Sequence, residues 1–211
     1  MCGKYIGETE EVLCDECLCR LPRTEQAEIR QNETEAVLAD EKRMERAAAF
    51  LFYEKDHPVR QLVHQMKYAD RPDIGYRLGR LAALEFQYAD FFNGIDVIVP
   101  MPLHPRRLRE RGYNQSEYIA RGISEITGIP VDTSHVLRIR NTPQQALKEG
   151  DERRENVKEA FAVSHAVEMR GKHILVVDDL ITTGETMKAC LKAMHEFKGA
   201  EFSVFALCKA R

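Results

Sequence analysis

The chain has 211 residues, 44% of them hydrophobic and 31% charged, enough for one sizeable domain with a small appendage, which excludes a fibre or a disordered tail. Its 31 Lys and Arg against 34 Asp and Glu give a formal net charge of -3, so no global basic field draws it to nucleic acid, and any such binding must be local. No apolar run approaches the roughly 18 residues of a membrane span, and charged residues stand where a signal peptide needs an apolar segment, so a cytoplasmic protein is expected.

Four of the six cysteines, Cys2, Cys14, Cys17 and Cys19, crowd the first nineteen residues. In a reducing compartment this clustering reads as metal ligation rather than as disulfides. Residues 1–24 hold almost nothing else that could build a core and form a cysteine-rich segment. Residues 25–46 are acidic, polar and poor in large apolar side chains, which predicts a connector with at most a short helix, and the main domain is placed at 47–211.

From Ala47 onward short β-type runs alternate with helical periodicity, the pattern of an α/β domain with a largely parallel sheet. Strands are predicted at Ala49 to Tyr53, Asp96 to Pro100, His135 to Ile139, Ala160 to Val163, His173 to Val177 and Glu201 to Cys208. Val59, Leu62, Val63 and Met66 fall at i, i+3, i+4 and i+7, as do Met187, Cys190, Leu191 and Met194, so both segments are predicted amphipathic helices. A third helix opens at Asn114 with Glu117 as a capping-box partner, carries Ile119, Ile123 and Ile126 on one face and stops at Gly128. Cys190 and Cys208 fall in apolar patterns and are assigned to the core.

The most informative stretch is ILVVDDLITTGET, from Ile174 to Thr186. A buried strand delivers a loop to the carboxyl edge of a parallel sheet, where α/β proteins place ligands. The helix that follows offers unpaired N–H groups and the positive end of its dipole, so Thr182, Thr183, Gly184, Glu185 and Thr186 can wrap a monophosphate. Asp178 and Asp179, just before, can accept hydrogen bonds from vicinal hydroxyls, and the combination describes a ribose 5-phosphate. The segment resembles the 5-phosphoribosyl 1-diphosphate (PRPP) motif of type I phosphoribosyltransferases. The alternative is a strand that ends in solvated acids and a polar turn.

A second loop, VPMPLHPRRLRERGYNQSE, carries Arg106, Arg107, Arg109 and Arg111 behind three stiffening prolines. Its guanidinium forks suit a pyrophosphate or nucleic-acid phosphates, or it is a solvated basic turn paired with the protein's own carboxylates. His104 reads as a loop histidine. A third segment, Leu137 to Phe161, has a charged middle of the length seen in lids.

Together these loops, the pattern R-x-R-x-T-x-x-Q-x-x-L…R-x-x-N-V-x-x-A-F, and AAAFLFYEKDHPVRQLVHQMKYADRPDIGYRLG resemble the ComF family of competence-associated phosphoribosyltransferase-like proteins over nearly the whole chain. The resemblance implies a type I phosphoribosyltransferase fold, a zinc-ribbon-like cysteine module and a role in DNA uptake or nucleotide metabolism. It implies a PRPP site with Mg2+, in which Asp178 and Asp179 hold the ribose, Thr182 to Thr186 grip the 5-phosphate, and Arg106, Arg107 or Arg109 stabilises departing pyrophosphate, with Pro102 and Leu103 beside them. Residues 140–154 would close over the site, with Arg138, Arg140 or Gln144 reaching pyrophosphate. The family pattern uses C-x-x-C twice. Cys2 would be the second cysteine of the first pair, so the chain is expected to begin one residue late, leaving Cys2, Cys14, Cys17 and Cys19 for a structural Zn2+ or else a metal-free N-terminus. A glutaminase domain does not fit ahead of Ala47. Two functional classes stay open: a transferase of unassigned acceptor, or a non-catalytic PRPP sensor that engages single-stranded DNA or competence proteins. Oligomeric state is left open.

Overall fold

In a computed structural model, residues 2, 12–140 and 160–211 are described. Four parallel strands form the main sheet: β1 (Met44–Tyr53), β2 (Val97–Pro100), β5 (His173–Ile181) and β6 (Glu201–Ala210), in the order β1-β6-β5-β2. The two short strands β3 (Val136–Arg138) and β4 (Phe161–Val163) pair antiparallel and flank the segment 141–159, which lies outside the described residues. Among the described residues no helix is long and apolar enough to cross a membrane.

The sheet is covered on both faces, which is why its strands read as near-continuous apolar runs. Successive side chains of β5 alternate between two cores. Leu175 and Val177 join Phe50, Phe205 and the helices α3 (Val59–Tyr68), α4 (Pro72–Phe86) and α6 (Gln115–Thr127). Ile174 and Val176 join Phe202, Val204 and the helix α7 (Glu185–Met194), which contributes Met187, Cys190, Leu191 and Met194. The predicted amphipathic faces of α3, α6 and α7 are therefore the buried ones. Asn114 caps α6 by accepting from the Ser116 N–H, and Gly128 ends it at φ 74. Glu117 pairs along the helix with Arg121.

Two boundaries differ from expectation. Strand β1 begins at Met44, ahead of Ala47, and the residues before it are part of the same body. β1 lies at the edge of the sheet, and an open edge leaves unpaired N–H and C=O groups. The end of the cysteine-rich segment and the connector supply partners for them. The Thr24 N–H donates to the Phe50 carbonyl (3.0 Å), the Phe52 N–H to the Pro22 carbonyl (2.7 Å), the Asn32 amide to the Ala47 carbonyl (2.8 Å), and the Ala49 N–H to Gln26 Oε1 (3.0 Å). A short helix α2 (Glu33–Val37), capped by Asn32, follows. The polar composition that reads as a linker is the polar lining of a sheet edge.

Helix α4 was not anticipated, because its apolar stripe is interrupted by Gly75 and Gly79. These glycines let it cross α6 at close range. A methyl at Gly79 would collide with the Ile119 carbonyl, and one at Gly122 with the Tyr76 carbonyl. Gly122→Ala is therefore expected to destabilise the fold by about 1–3 kcal/mol through overpacking, despite alanine's better helix propensity. Urea denaturation measures this, and an unchanged midpoint would contradict the close crossing.

Candidate functional site

The carboxyl edge of β5 carries the two adjacent acids, and strand alternation sends them to opposite faces. Asp179 turns to the side of α3. There its Oδ2 lies 2.8 Å from the Lys67 ammonium, with Lys67 8% and Asp179 4% exposed. Lys67 continues the buried stripe of α3 after Val63 and Met66. Burial works against its charge, but Asp179 and then Asp178 outweigh that and raise its pKa.

Asp178 lies on the side of α7, 9% exposed. Its Oδ1 accepts from the Ser116 hydroxyl (3.1 Å) and from the Asp179 N–H (2.8 Å). Burial and the neighbouring Asp179 push its carboxyl up to about 7, against the opposing pull of that N–H, Lys67 and Ser116. Ser116 is placed by the start of α6. Asn114 accepts from its N–H and donates to the Met101 carbonyl (3.0 Å), and the Met101 N–H donates to the Val177 carbonyl (2.7 Å). The loop after β2 is thus tied directly to the acids.

The residues expected to form a phosphate loop follow immediately. Thr182, Thr183 and Glu185 are exposed, Thr186 is half-buried and Gly184 is buried. Gly184 caps α7 at φ 77, a left-handed conformation that glycine adopts without strain, and it offers no side chain to the helix end. The first-turn amides of α7 therefore meet the carboxyl edge without a capping side chain. Beneath the loop, a Cβ on Gly184 would lie 3.3 Å from the Val37 carbonyl and from Leu38, and Lys188 pairs with Asp40 at 3.1 Å. The connector is the floor of the turn between β5 and α7.

The arginine loop is a helix, α5 (Pro105–Arg111), capped by His104, whose Nδ1 accepts the Arg106 N–H at 3.2 Å. The helix separates arginines that sequence treats as one patch. Arg106 is exposed and pairs with Glu110 at 2.9 Å, and Arg109 is exposed. Arg107 is half-buried and lies near enough to Arg138 for the two charges to interact, and Arg138 in turn feels the charge of Asp178. Burial, then Arg107, lower the Arg138 pKa, while Asp178 opposes them. Arg138 is therefore the guanidinium that senses the acid pair, and Arg107 senses Arg138. Pro102 and Leu103 are half-exposed between β2 and α5. Arg140 is exposed at the brink of the segment 141–159. Gln144 and the remainder of the expected lid lie outside the described residues.

At the N-terminus the sulfurs of Cys2, Cys14 and Cys17 lie within 4.8 Å of one another, with Cys2 and Cys14 at 3.7 Å. Cys19 is not with them. Cys17 and Cys19 share the helix α1 (Asp15–Cys19), where a spacing of two turns side chains to nearly opposite sides, and Cys17 is buried while Cys19 is exposed. Cys190 and Cys208 are fully buried, and burial pushes both thiols up.

Sequence reasoning missed Lys67 and Ser116. For Lys67 a signal existed: it is the charged residue on an otherwise apolar helix face. Ser116 carried none beyond its place in a cap.

The phosphoribosyl transferase domain family matches residues 115–211. The DNA utilization protein YhgH of Escherichia coli K12 is 34% identical over 155 residues, 72% of this chain and 67% of that protein. Competence protein F of Haemophilus influenzae is 29% identical over 157 residues, 72% of this chain and 69% of that protein. Among solved structures, a glutamine PRPP amidotransferase of Bacillus subtilis superposes with a TM-score of 0.46 at 22% identity, covering 68% of this chain and 30% of that one.

Removing the ammonium while leaving Asp179 strands a buried charge. Lys67→Met is expected to cost about 3–5 kcal/mol, and Lys67→Met with Asp179→Leu to recover most of it. Urea melts of the three proteins test this, and a near-neutral single variant would show that the pair does not bind α3 to the sheet.

Proposed function

The chain belongs to the ComF family of phosphoribosyltransferase-like proteins, and from that premise we propose that it binds PRPP at the carboxyl edge of β5. The observation that carries the reading is the union of a buried acid, Asp178, with an uncapped helix start seven residues on at Glu185. In this reading the first-turn amides of α7 and Thr182, Thr183 and Thr186 hold the 5-phosphate. Asp178 accepts from the ribose hydroxyls. Asp179 is engaged by Lys67 and acts through the ion pair. Arg107 and Arg138 take the pyrophosphate, because guanidinium forks match phosphate oxygens and a half-buried charge is less screened by water. Arg106, committed to Glu110, is a weaker candidate than the sequence suggested.

Mg2+ accompanies pyrophosphate as its counter-ion, and Asp178 is the acid of the pair not tied to an ammonium that could meet it. If an acceptor attacks, the bond from C1 of the ribose to pyrophosphate breaks and positive charge develops on the sugar, as in glycoside cleavage. Ionised Asp178 offsets that charge, and the two arginines stabilise the leaving group. Pyrophosphate release in the presence of a panel of nucleobases and amines marks a transferase. PRPP binding without release marks a sensor. The names of the relatives connect either activity to competence and the use of DNA.

Three thiols suit a structural zinc at Cys2, Cys14 and Cys17. The Cys2–Cys14 separation of 3.7 Å matches the edge of a tetrahedron with zinc–sulfur bonds of about 2.3 Å, roughly 3.8 Å. Elemental analysis is expected to find about one zinc per chain, lost in Cys17→Ser and retained in Cys19→Ser. Zinc-free protein purified without chelators would refute it.

The raised Asp178 carboxyl gives a pH signature. An ordinary aspartate ionises at about 3.9, so between that pH and about 7 the folded chain keeps a proton that the unfolded chain has lost. Its contribution to stability is full below the lower value and is gone above the upper one. Ligand binding runs the other way, because only the ionised carboxylate accepts from both ribose hydroxyls. Titration calorimetry with PRPP and Mg2+ is expected to show affinity rising from about pH 6 to 8, and Asp178→Asn to bind weakly with that rise removed. An identical rise in Asp178→Asn would assign the titration to the ligand.

A further inference from the structure

The loop that leads into β3 holds a histidine between two carboxylates. His135 Nδ1 lies 2.9 Å from Asp132 Oδ1 and its Nε2 lies 3.1 Å from Glu168 Oε2, with the side chain 12% exposed. An ionised carboxylate can only accept, and a neutral imidazole carries a single N–H. Both bonds are therefore made together only by the imidazolium. Asp132 is the fixed end of this bridge. Its N–H donates to the Ile98 carbonyl and the Ile98 N–H donates to the Pro130 carbonyl, each at 2.8 Å, so the loop runs along β2 at the edge of the main sheet. Its carboxylate also accepts from the Ser134 hydroxyl (2.7 Å) and the His135 N–H (3.1 Å). Burial works against the charge on Asp132, but these bonds outweigh it and hold the carboxyl below the ordinary aspartate range.

Glu168 is the movable end, its side chain 66% exposed. It belongs to the 3₁₀ turn Ala166–Met169 between β4 and β5, entered through His165 at φ 47. The Glu168 N–H donates to the His165 carbonyl (3.0 Å), and the His165 ring stands edge-on to that of His135 with centroids 6.2 Å apart. Asp132, Glu168 and His165 are the titratable groups that face the His135 ring, and Ser134 is its neutral polar neighbour at 3.2 Å. Burial works against a charge on the ring, but Asp132 and then Glu168 outweigh it and raise the His135 pKa. The backbone at this point is the base of the β3–β4 pair. The Ser164 N–H donates to the His135 carbonyl and the Ser164 hydroxyl to the Ser134 carbonyl, each at 2.9 Å, and three residues further on β3 carries Arg138.

We propose that protonated His135 is a latch that fastens the base of the β3–β4 pair to the edge of the main sheet, and that the latch opens when the ring loses its proton. The neutral ring keeps Nδ1–H on the anchored Asp132 and turns the Nε2 lone pair on the Glu168 oxygen, so the Glu168 arm is the one released. Below the ordinary histidine value of about 6.5 the latch stabilises the fold in full. Its contribution is lost as pH rises through the raised value of the folded ring. By fixing β3 the latch makes His135 a positioning residue for Arg138. That role rests on the PRPP reading, whereas the latch stands on the hydrogen bonds of His135 itself.

Two measurements on the full chain test it. Histidine ring shifts are followed by NMR across pH, with the His135 signal identified by its absence in His135→Gln. The ring is expected to titrate above about 6.5, with Glu168→Gln bringing it part of the way down and Asp132→Asn further. Hydrogen exchange of the Ser164 and Ile139 amides, which hold the β3–β4 pair to its partners at the His135 and Ala160 carbonyls, is then compared after correction for intrinsic exchange. Protection is expected to fall about tenfold from pH 5.5 to 8.5 in the parent and to be low and level in His135→Gln. A parent ring that titrates at or below about 6.5, protection that does not change with pH, or the same fall in folded His135→Gln would overturn the latch. The ring titration of the parent decides even where a variant does not fold. Neither measurement needs PRPP, so failure of the ligand reading and failure of the latch are told apart.

Discussion

An ammonium and a carboxylate 2.8 Å apart, both shut off from water, join the first helix of the domain to its central strand. Desolvating two charges costs more than a surface pair ever returns, so such a pair contributes less to net stability than to register. Here it allows one arrangement of α3 against β5. A slip of β5 by one residue would send Asp178 toward Lys67 and Asp179 toward Cys190, exchanging the two environments. The pair also divides the labour of two chemically identical side chains. Asp179 is consumed by structure. Asp178 is left with a serine hydroxyl and a backbone amide, and a carboxyl balanced between its two protonation states near neutrality.

The second constraint is the edge of the sheet. β1 would present a bare row of backbone groups if Thr24 and the connector's Gln26 and Asn32 did not meet it. Having covered that edge, the same stretch runs on through α2 to underlie Gly184. The glycine is needed twice, for a left-handed turn and for the space that Val37 and Leu38 occupy. Arg23, which forks onto Glu85 of α4 and donates to the Leu18 carbonyl, ties the cysteine helix to the same body. The cysteine segment, the sheet edge and the turn into α7 are thus a single mechanical sequence.

What the sequence made legible was local. A strand, two acids, a hydroxyl-rich loop and a helix lie within thirteen consecutive residues, so period and spacing were enough to place them, and the caps at Asn114 and Gly128 were equally short-range. What it hid depended on partners far along the chain. Lys67 looked like the end of an amphipathic helix until Asp179 stood opposite it. The acidic connector looked like a linker because polar side chains that satisfy a sheet edge have the same composition as solvated ones. The four arginines after Pro105 looked interchangeable because they were read as a loop. Once they are on a helix, each residue turns by about 100°, which sends Arg106 to Glu110, Arg107 toward Arg138 and Arg111 to Tyr68. Cys19 failed as a ligand candidate for the same reason, on a helix of five residues.

The floor beneath Gly184 also bears on how the molecule can be taken apart. A fragment cut at residue 115, where the family match starts, would lack β1, β2, α3 and α4, and with them two strands of the four-stranded sheet. A fragment cut at 47 would keep the acids but lose the residues that seat the loop and cover the edge. The buried core itself reaches back to Leu21, in the cysteine-rich segment ahead of the connector. The residues that seat the acids, cover the sheet edge and lie beneath Gly184 therefore extend well to the N-terminal side of the matched segment.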